Sequence, residues 1–212
     1  MCLNVANDTV IANVGKTLVG MLEDRMGDLV TDDEVVLASP GDEDPGDDYR
    51  LTLYLYDVTQ NEHLSNERAR PESTGRPAEA ALVLDLHYLL TAHPKDASGN
   101  ETSTSRTAQQ HRILGRAMQI MADNAIVRKP DLHEDIDPTE TITITMESVS
   151  RGELVDIWGT FTEVSYQPSI AYVVSPIVVD SQRPGTDSRV VEGTVNQFTY
   201  SPGGELGEGT DR

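Results

Sequence analysis

A chain of 212 residues with 37% apolar residues holds enough hydrophobic material for one core, and no part of it approaches the run of about 18 apolar residues that marks a membrane span. Thirty-six acidic against sixteen basic side chains give a formal charge of −20, a field that repels nucleic acid and anionic membranes and argues against both as partners. Only three of the bases are lysines, Lys16, Lys95 and Lys129; acid enrichment with lysine depletion points to a proteome adapted to molar salt, where a Debye length of about 3 Å screens carboxylates from one another.

Met1 to Asp8 shows no basic stretch followed by an apolar run, so no signal peptide is expected and the chain is expected to fold in the cytoplasm. The single cysteine, Cys2, has no partner for an internal disulfide and no base in sequence reach, so it reads as inert. From about Asn4 to Gly27, Val10, Val14, Leu18, Met21 and Leu22 recur at helical spacing, with Asn7 or Asp8 as cap and Gly27 as terminator. A short strand is expected at Glu34–Ala38, then a loop from Ser39 to Asp48. Arg50–Thr59 alternates: Leu51, Leu53 and Leu55 face one way, Thr52, Tyr54 and Tyr56 the other.

After a polar stretch from Asn61 to Pro77, Ala81–Thr91 has large residues on both faces, as a central strand does. His93–Ser105 reads as loop and Thr107–Asn124 as a helix with Ile113, Leu114, Ala117, Ile120 and Met121 inward. Thr141–Met146 alternates isoleucines with threonines, a strand buried on one face. Ser150 and Glu153 form a capping box opening a short helix whose Leu154, Val155, Ile157 and Trp158 are its expected core face, with Trp158 in the core. Ser165–Asp180 is strand-like but holds Pro168 and Pro176, so a bent or edge strand is expected. Arg189–Tyr200 reads as a last strand and Ser201–Arg212 as a Gly/acid tail. The order predicts a single α+β domain over 1–182, a mainly antiparallel sheet flanked by helices, and a C-terminal arm or tail over 183–212.

Enzymatic chemistry finds little support. Asp85 and His87 share a strand face, but no Gly-x-Ser-x-Gly elbow supplies a nucleophile; the pair reads as a buried polar ordering element rather than the base of a small hydrolase. The acidic stretches His133–Asp137 and Asp42–Asp48 lack the full ligand pattern of a calcium loop, and no Cys-x-x-Cys or His-x-x-x-His suggests zinc. Gly204–Gly209 opens no helix and carries glutamates that repel phosphate. Along their strands no lysine or arginine interleaves with Tyr54, Tyr56 and Tyr88, as such residues do on base-stacking surfaces. No catalytic residue, cofactor or metal is expected.

Several segments in order carry a family resemblance: Ile11–Leu18, Leu51–Val58 with Asn61, Leu64 and Asn66, Leu82–Ala92 (Leu-Val-Leu-Asp-Leu-His-Tyr-Leu-Leu-Thr-Ala), Ile113–Gln119, and Leu154–Trp158 leading to Tyr166–Val173. Together they resemble the tail-terminator or cap proteins of extracellular contractile injection systems, relatives of the antifeeding prophage and virulence-cassette particles. Prolines usual in that family before the central strand are replaced here by Ala78-Glu-Ala-Ala81. The resemblance implies a non-enzymatic homohexameric ring that ends and joins inner tube and sheath at the end away from the baseplate, assembled in the cytoplasm in a particle open to release. Its partners would be further copies of itself, sheath subunits and inner-tube subunits. Because sheaths link subunits by exchanged strands, a cap has reason to offer one, and Val190, Val191, Val195, Phe198 and Tyr200 mark the candidate assembly arm. A tail terminator or head-to-tail connector of a true virus is the competing reading.

Overall fold

The computed structural model describes residues 9–41, 49–64, 82–95, 102–128, 141–161 and 164–179. Helix α1 spans Val10–Met26. A single 3-10 turn, Asp32–Glu34, leads into strand β1, Val35–Val36. Strands β2, Leu51–Gln60, and β3, Leu82–Ala92, follow. Helix α2 covers Ser103–Asp123, β4 is Ile126–Val127 and β5 is Ile142–Met146. Helix α3, Arg151–Gly159, and strand β6, Ser169–Val179, complete the order. Among the described residues the strands form one sheet in the order β1-β2-β3-β6-β5-β4. Every pairing is antiparallel except β1 with β2. The expected α+β class with a mainly antiparallel sheet is what the chain adopts.

Alternation along the strands divides the interior into two layers. On one face, Leu51 and Leu53 of β2, Leu84, Leu86, Tyr88 and Leu90 of β3, Tyr172, Val174 and Ile177 of β6 and Ile142 and Ile144 of β5 join one apolar cluster. Helix α1 delivers Val14, Leu18, Leu22 and Met26 to it, and α2 delivers Ile113, Ala117, Ile120 and Met121. Three hydrogen bonds fix α2 further. The buried Gln110 amide donates to the Ala92 carbonyl and to Gln167 Oε1, both at 2.7 Å. Arg116 donates to the carbonyl of Arg25, in the last turn of α1, at 3.2 Å.

The opposite face is thinner. Helix α3 supplies it with one side chain, Trp158, 6% exposed. Trp158 meets Phe161 and Tyr166 with ring centroids 5.6 and 5.3 Å apart, and Phe161 in turn meets Tyr54 of β2 at 5.6 Å. Trp158 is a core residue, as expected. The predicted face of Leu154, Val155, Ile157 and Trp158 is otherwise corrected. Val155 is 55% exposed, and Leu154 and Ile157 are only partly covered. A nine-residue helix laid across a sheet by one bulky anchor does not bury a full stripe. Its capping box is present: Ser150 N–H donates to Glu153 at 2.8 Å, and Glu153 N–H donates to Ser150 Oγ at 3.3 Å.

Other expectations shift. Helix α1 begins at Val10, with Thr9 rather than Asn7 or Asp8 at its cap, and residues before Thr9 lie outside the described ones. Strand β1 is far shorter than Glu34–Ala38. Helix α2 starts at Ser103, not Thr107, because Thr102 Oγ1 accepts the Ser105 N–H at 3.2 Å and draws the helix back into the predicted loop. Strand β6 is an interior strand and not an edge. Between Leu84 and Leu86 the ladder gains one residue on β6, where Ser175-Pro176 stands against Asp85 alone. This bulge is where a proline, having no N–H to donate, is tolerated inside a sheet.

The C-terminal end of β3 is closed by Arg50 and His93. The Arg50 N–H donates to the Glu34 carbonyl at 2.8 Å and the His93 N–H to the Arg50 carbonyl at 2.9 Å. The His93 ring shares a hydrogen bond with Thr52 Oγ1 at 2.9 Å and meets Tyr49 edge-on at 5.0 Å. Burial lowers the His93 pKa from 6.5 to about 4.

Two predictions follow from packing and from His93. Leu86→Ala in the core is expected to cost about 3 kcal/mol and Val155→Ala less than about 0.5 kcal/mol, read from denaturant unfolding. As pH falls from 6.5 toward 4, the unfolded chain gains a proton at His93 that the folded chain does not take, so stability declines across that window. His93→Gln is expected to reduce that decline, seen as a smaller drop in unfolding midpoint between about pH 7 and about pH 4.5.

Candidate functional site

Asp85 and His87, two positions apart on β3, lie on the face turned away from α1 and α2, yet they do not bond each other. Each is taken by a different partner. Asp85 accepts from the Ser175 hydroxyl at the β6 bulge and from Asn61 Nδ2 at 3.0 Å. Asn61, just past β2, also donates its backbone N–H to the Val83 carbonyl at 2.9 Å and accepts the Leu64 N–H at 3.1 Å. One carboxylate thus pins the end of β2, the middle of β3 and the bulge of β6 together.

His87 sits in a second set. Its Nδ1 lies 3.0 Å from Glu147 Oε2, just beyond β5, and its Nε2 2.9 Å from Thr59 Oγ1. The Tyr56 hydroxyl donates to the same Glu147 oxygen at 2.8 Å. A carboxylate only accepts, so the hydrogen of the His87–Glu147 contact belongs to His87 Nδ1. Tyr56 reaches this site because it is the extra residue on β2, where the ladder to β3 shifts between Leu55 and Asp57. Burial, then the hydrogen bond to Glu147, raise the Tyr56 pKa well above its usual value.

Hydroxyl, imidazole and carboxylate in series resemble a proton relay. Acyl chemistry also requires a nucleophile on a sharp turn and donors aimed at the oxyanion. Thr59 lies inside an extended strand. The arrangement joins β2, β3 and the segment after β5 as a cross-strand staple. Among the described residues no group of His, Cys, Asp and Glu side chains could hold a metal ion, and no helix is long and apolar enough to cross a membrane.

The feature most suited to a partner lies elsewhere. Strand β1 pairs only with Leu51 and Thr52. Beyond Val36 the chain turns off, and a groove of about 330 Å³ opens between Leu37–Ser39, α1 and the Leu53–Leu55 part of β2, with Tyr88 lining it. Gly15 makes it possible: a Cβ there would stand 2.9 Å from Leu37 Cδ1 and 3.5 Å from the Tyr88 hydroxyl. Leu37, on the rim, is 45% exposed. Sequence reasoning missed this groove, whose mark in the sequence is Gly15, one of two glycines in the middle of an otherwise regular helix. It missed Glu147 as well, which sits 60 residues from His87 in the chain. Val190, Val191, Val195, Phe198 and Tyr200 lie outside the described residues.

The chain matches the Pvc16 N-terminal domain over residues 13–193. It belongs to that family. Among solved structures, the fold is similar to the sheath/tube terminator of an extracellular contractile injection system (PVC, extended state). That match has a TM-score of 0.57 and 18% identity, covering 91% of this chain and 65% of that one. It is also similar to the anti-feeding prophage cap, a tube-terminating cap, with a TM-score of 0.54 and 14% identity over 93% of this chain and 60% of that one. The chain therefore spans less than two thirds of either solved relative. No curated protein sequence matches it.

Within this Pvc16 N-terminal domain, the staple predicts a measurable coupling. Glu147→Ala strands the Tyr56 hydroxyl and His87 Nδ1 together, and is expected to cost about 1–3 kcal/mol in denaturant unfolding. His87→Ala in the same background is expected to add less than it costs alone, a coupling that a double-mutant cycle measures.

Proposed function

We propose that this chain is the terminator of a contractile injection system: a non-catalytic cap that closes into a homohexameric ring on the last tube and sheath rings. The family match over residues 13–193 carries this reading, and the likeness to two terminators supports it. The physics of the role is simple. A tube grows by stacking identical rings through unlike faces, so growth stops when a ring binds below and presents nothing stackable above. A protein that does this needs contact faces and no chemistry, in keeping with polar groups spent on holding strands together. Large apolar side chains stand exposed, among them Leu37, Met146, Val155 and Tyr166, and neighbouring subunits would cover those that lie on the ring's contact faces.

The segment with Val190, Val191, Val195, Phe198 and Tyr200 is the strand the cap offers to a sheath subunit by β-augmentation. The charge of −20 with three lysines makes the assembly one adapted to molar salt. The particle is assembled in the cytoplasm, with sheath and tube subunits as the cap's partners and neither nucleic acid nor membrane among them.

The test is microscopy of the purified protein. Six-fold rings are expected in about 2 M KCl and are expected to dissociate near 0.15 M, where the Debye length reaches about 8 Å and the carboxylates repel again. Loss of the gene is expected to leave over-long or sheathless tubes; normal particles without it would end the cap reading.

A further inference from the structure

A strand-forming segment of low charge is a liability until its partner arrives, because it pairs with any open sheet edge. This chain holds such an edge. Among the described residues the outer side of β2 from Leu53 to Thr59 has no backbone partner, since β1 leaves after Val36. The Val58 N–H is taken by the Asp57 carboxylate at 2.8 Å, which confines further pairing to Leu53–Asp57. The groove beside that stretch is apolar: Tyr88, 2% exposed, lines it together with Leu53, Leu55 and Leu37.

We propose that this groove and the open edge of β2 are the resting dock of the chain's own segment Val190–Tyr200, which adds there as an antiparallel strand and leaves when it is handed to the sheath. This deepens the cap reading and rests on it.

Reach and direction favour the same chain. Strand β6 ends at Val179, opposite Leu82, and Gln60 at the end of β2 stands opposite Leu84, so both strands finish at one end of the sheet. Both run antiparallel to β3, hence parallel to each other, and a segment turning back after Val179 runs antiparallel to β2. Passing β3 and β2 to the outer side takes about 14 Å, three strand spacings. Residues 180–189 can span up to about 33 Å. Coming from that end, the segment brings Phe198, late in its length, to the Leu53–Leu55 part of β2. Charge agrees. Among the described residues no charged one lines the groove, and Glu192 is the one charge in Val190–Tyr200 within a chain of 36 acids.

The test compares the full chain with one ending at residue 182, using a labelled synthetic peptide of residues 190–200. Truncation is expected to speed amide exchange at Leu53–Asp57 by at least about tenfold. The peptide is expected to bind the truncated chain, restore that protection, and bind the full chain at least about tenfold more weakly because the tethered segment holds the site. Ala12→Trp, which fills the groove from an exposed helix position, is expected to abolish peptide binding with no shift in the unfolding curve. Equal binding to both chains overturns occupancy by the chain's own segment. Unchanged exchange with no peptide binding overturns the dock. Ring formation by the full chain is scored separately, so rings without peptide binding sink the dock alone, and absence of rings sinks the cap.

Discussion

A strand covered on both faces can carry polar side chains only where partners reach them, and β3 meets that condition at Asp85, His87 and Thr91, whose hydroxyl pairs with Ser169. Its Leu84, Leu86, Tyr88 and Leu90 go under α1 and α2, while Asp85 and His87 point to the thinner side. Each needs an acceptor or donor that regular antiparallel pairing does not bring. The two ladder irregularities bring them. The bulge on β6 sets the Ser175 hydroxyl against Asp85, and the one on β2 turns Tyr56 toward the Glu147 that holds His87. Each irregularity adds one partner to a polar group that a second strand or segment also holds, Asn61 for Asp85 and Thr59 for His87. The bulges therefore complete the polar sets that a largely apolar strand carries.

Features that depend on near neighbours were legible in the sequence. The alternation of Leu51, Leu53 and Leu55, the two-sided run Leu82–Ala92, the helical spacing from Val10 to Leu22 and the Ser150–Glu153 box each declare themselves within a few residues. What was not legible depends on distant chain. Pro176 argued for a bent or edge strand because proline lacks an N–H; only the pairing with Asp85 shows that a bulge in an interior strand absorbs the defect. Val155 fitted a helical stripe, and whether a stripe is buried depends on how much sheet the helix faces. Strand β4, Ile126–Val127, is too short for any periodicity. Of the site, Asp85 and His87 were visible as a pair, but their separate partners were not.

The two sides of the sheet end differently. Beyond β5 the edge is occupied by β4 and by the Ala125 carbonyl, which accepts the Ile144 N–H at 2.8 Å. On the β2 side, β1 covers two residues and departs. Edges in soluble proteins are usually blunted by charge or bulges, and β2 has some of both: Tyr56 is extra in the ladder, and Asp57 turns its carboxylate onto the Val58 N–H. The stretch Leu53–Leu55 has neither, and it is bordered by an apolar groove. Among the described residues, the unguarded part of the edge and the unfilled part of the packing coincide.

That coincidence matters in a chain with so many carboxylates. Where most of the surface is acidic, the field discourages contact nearly everywhere at low salt, and screening at high salt removes the repulsion without supplying attraction. Specific association must then come from backbone pairing and apolar burial, which do not weaken as salt rises and, for apolar burial, strengthen with excluded salts. A neutral groove along an open strand offers both at one place. In the ring proposed above, contacts of this kind would define which neighbour is accepted, because register and side-chain fit discriminate where charge no longer can.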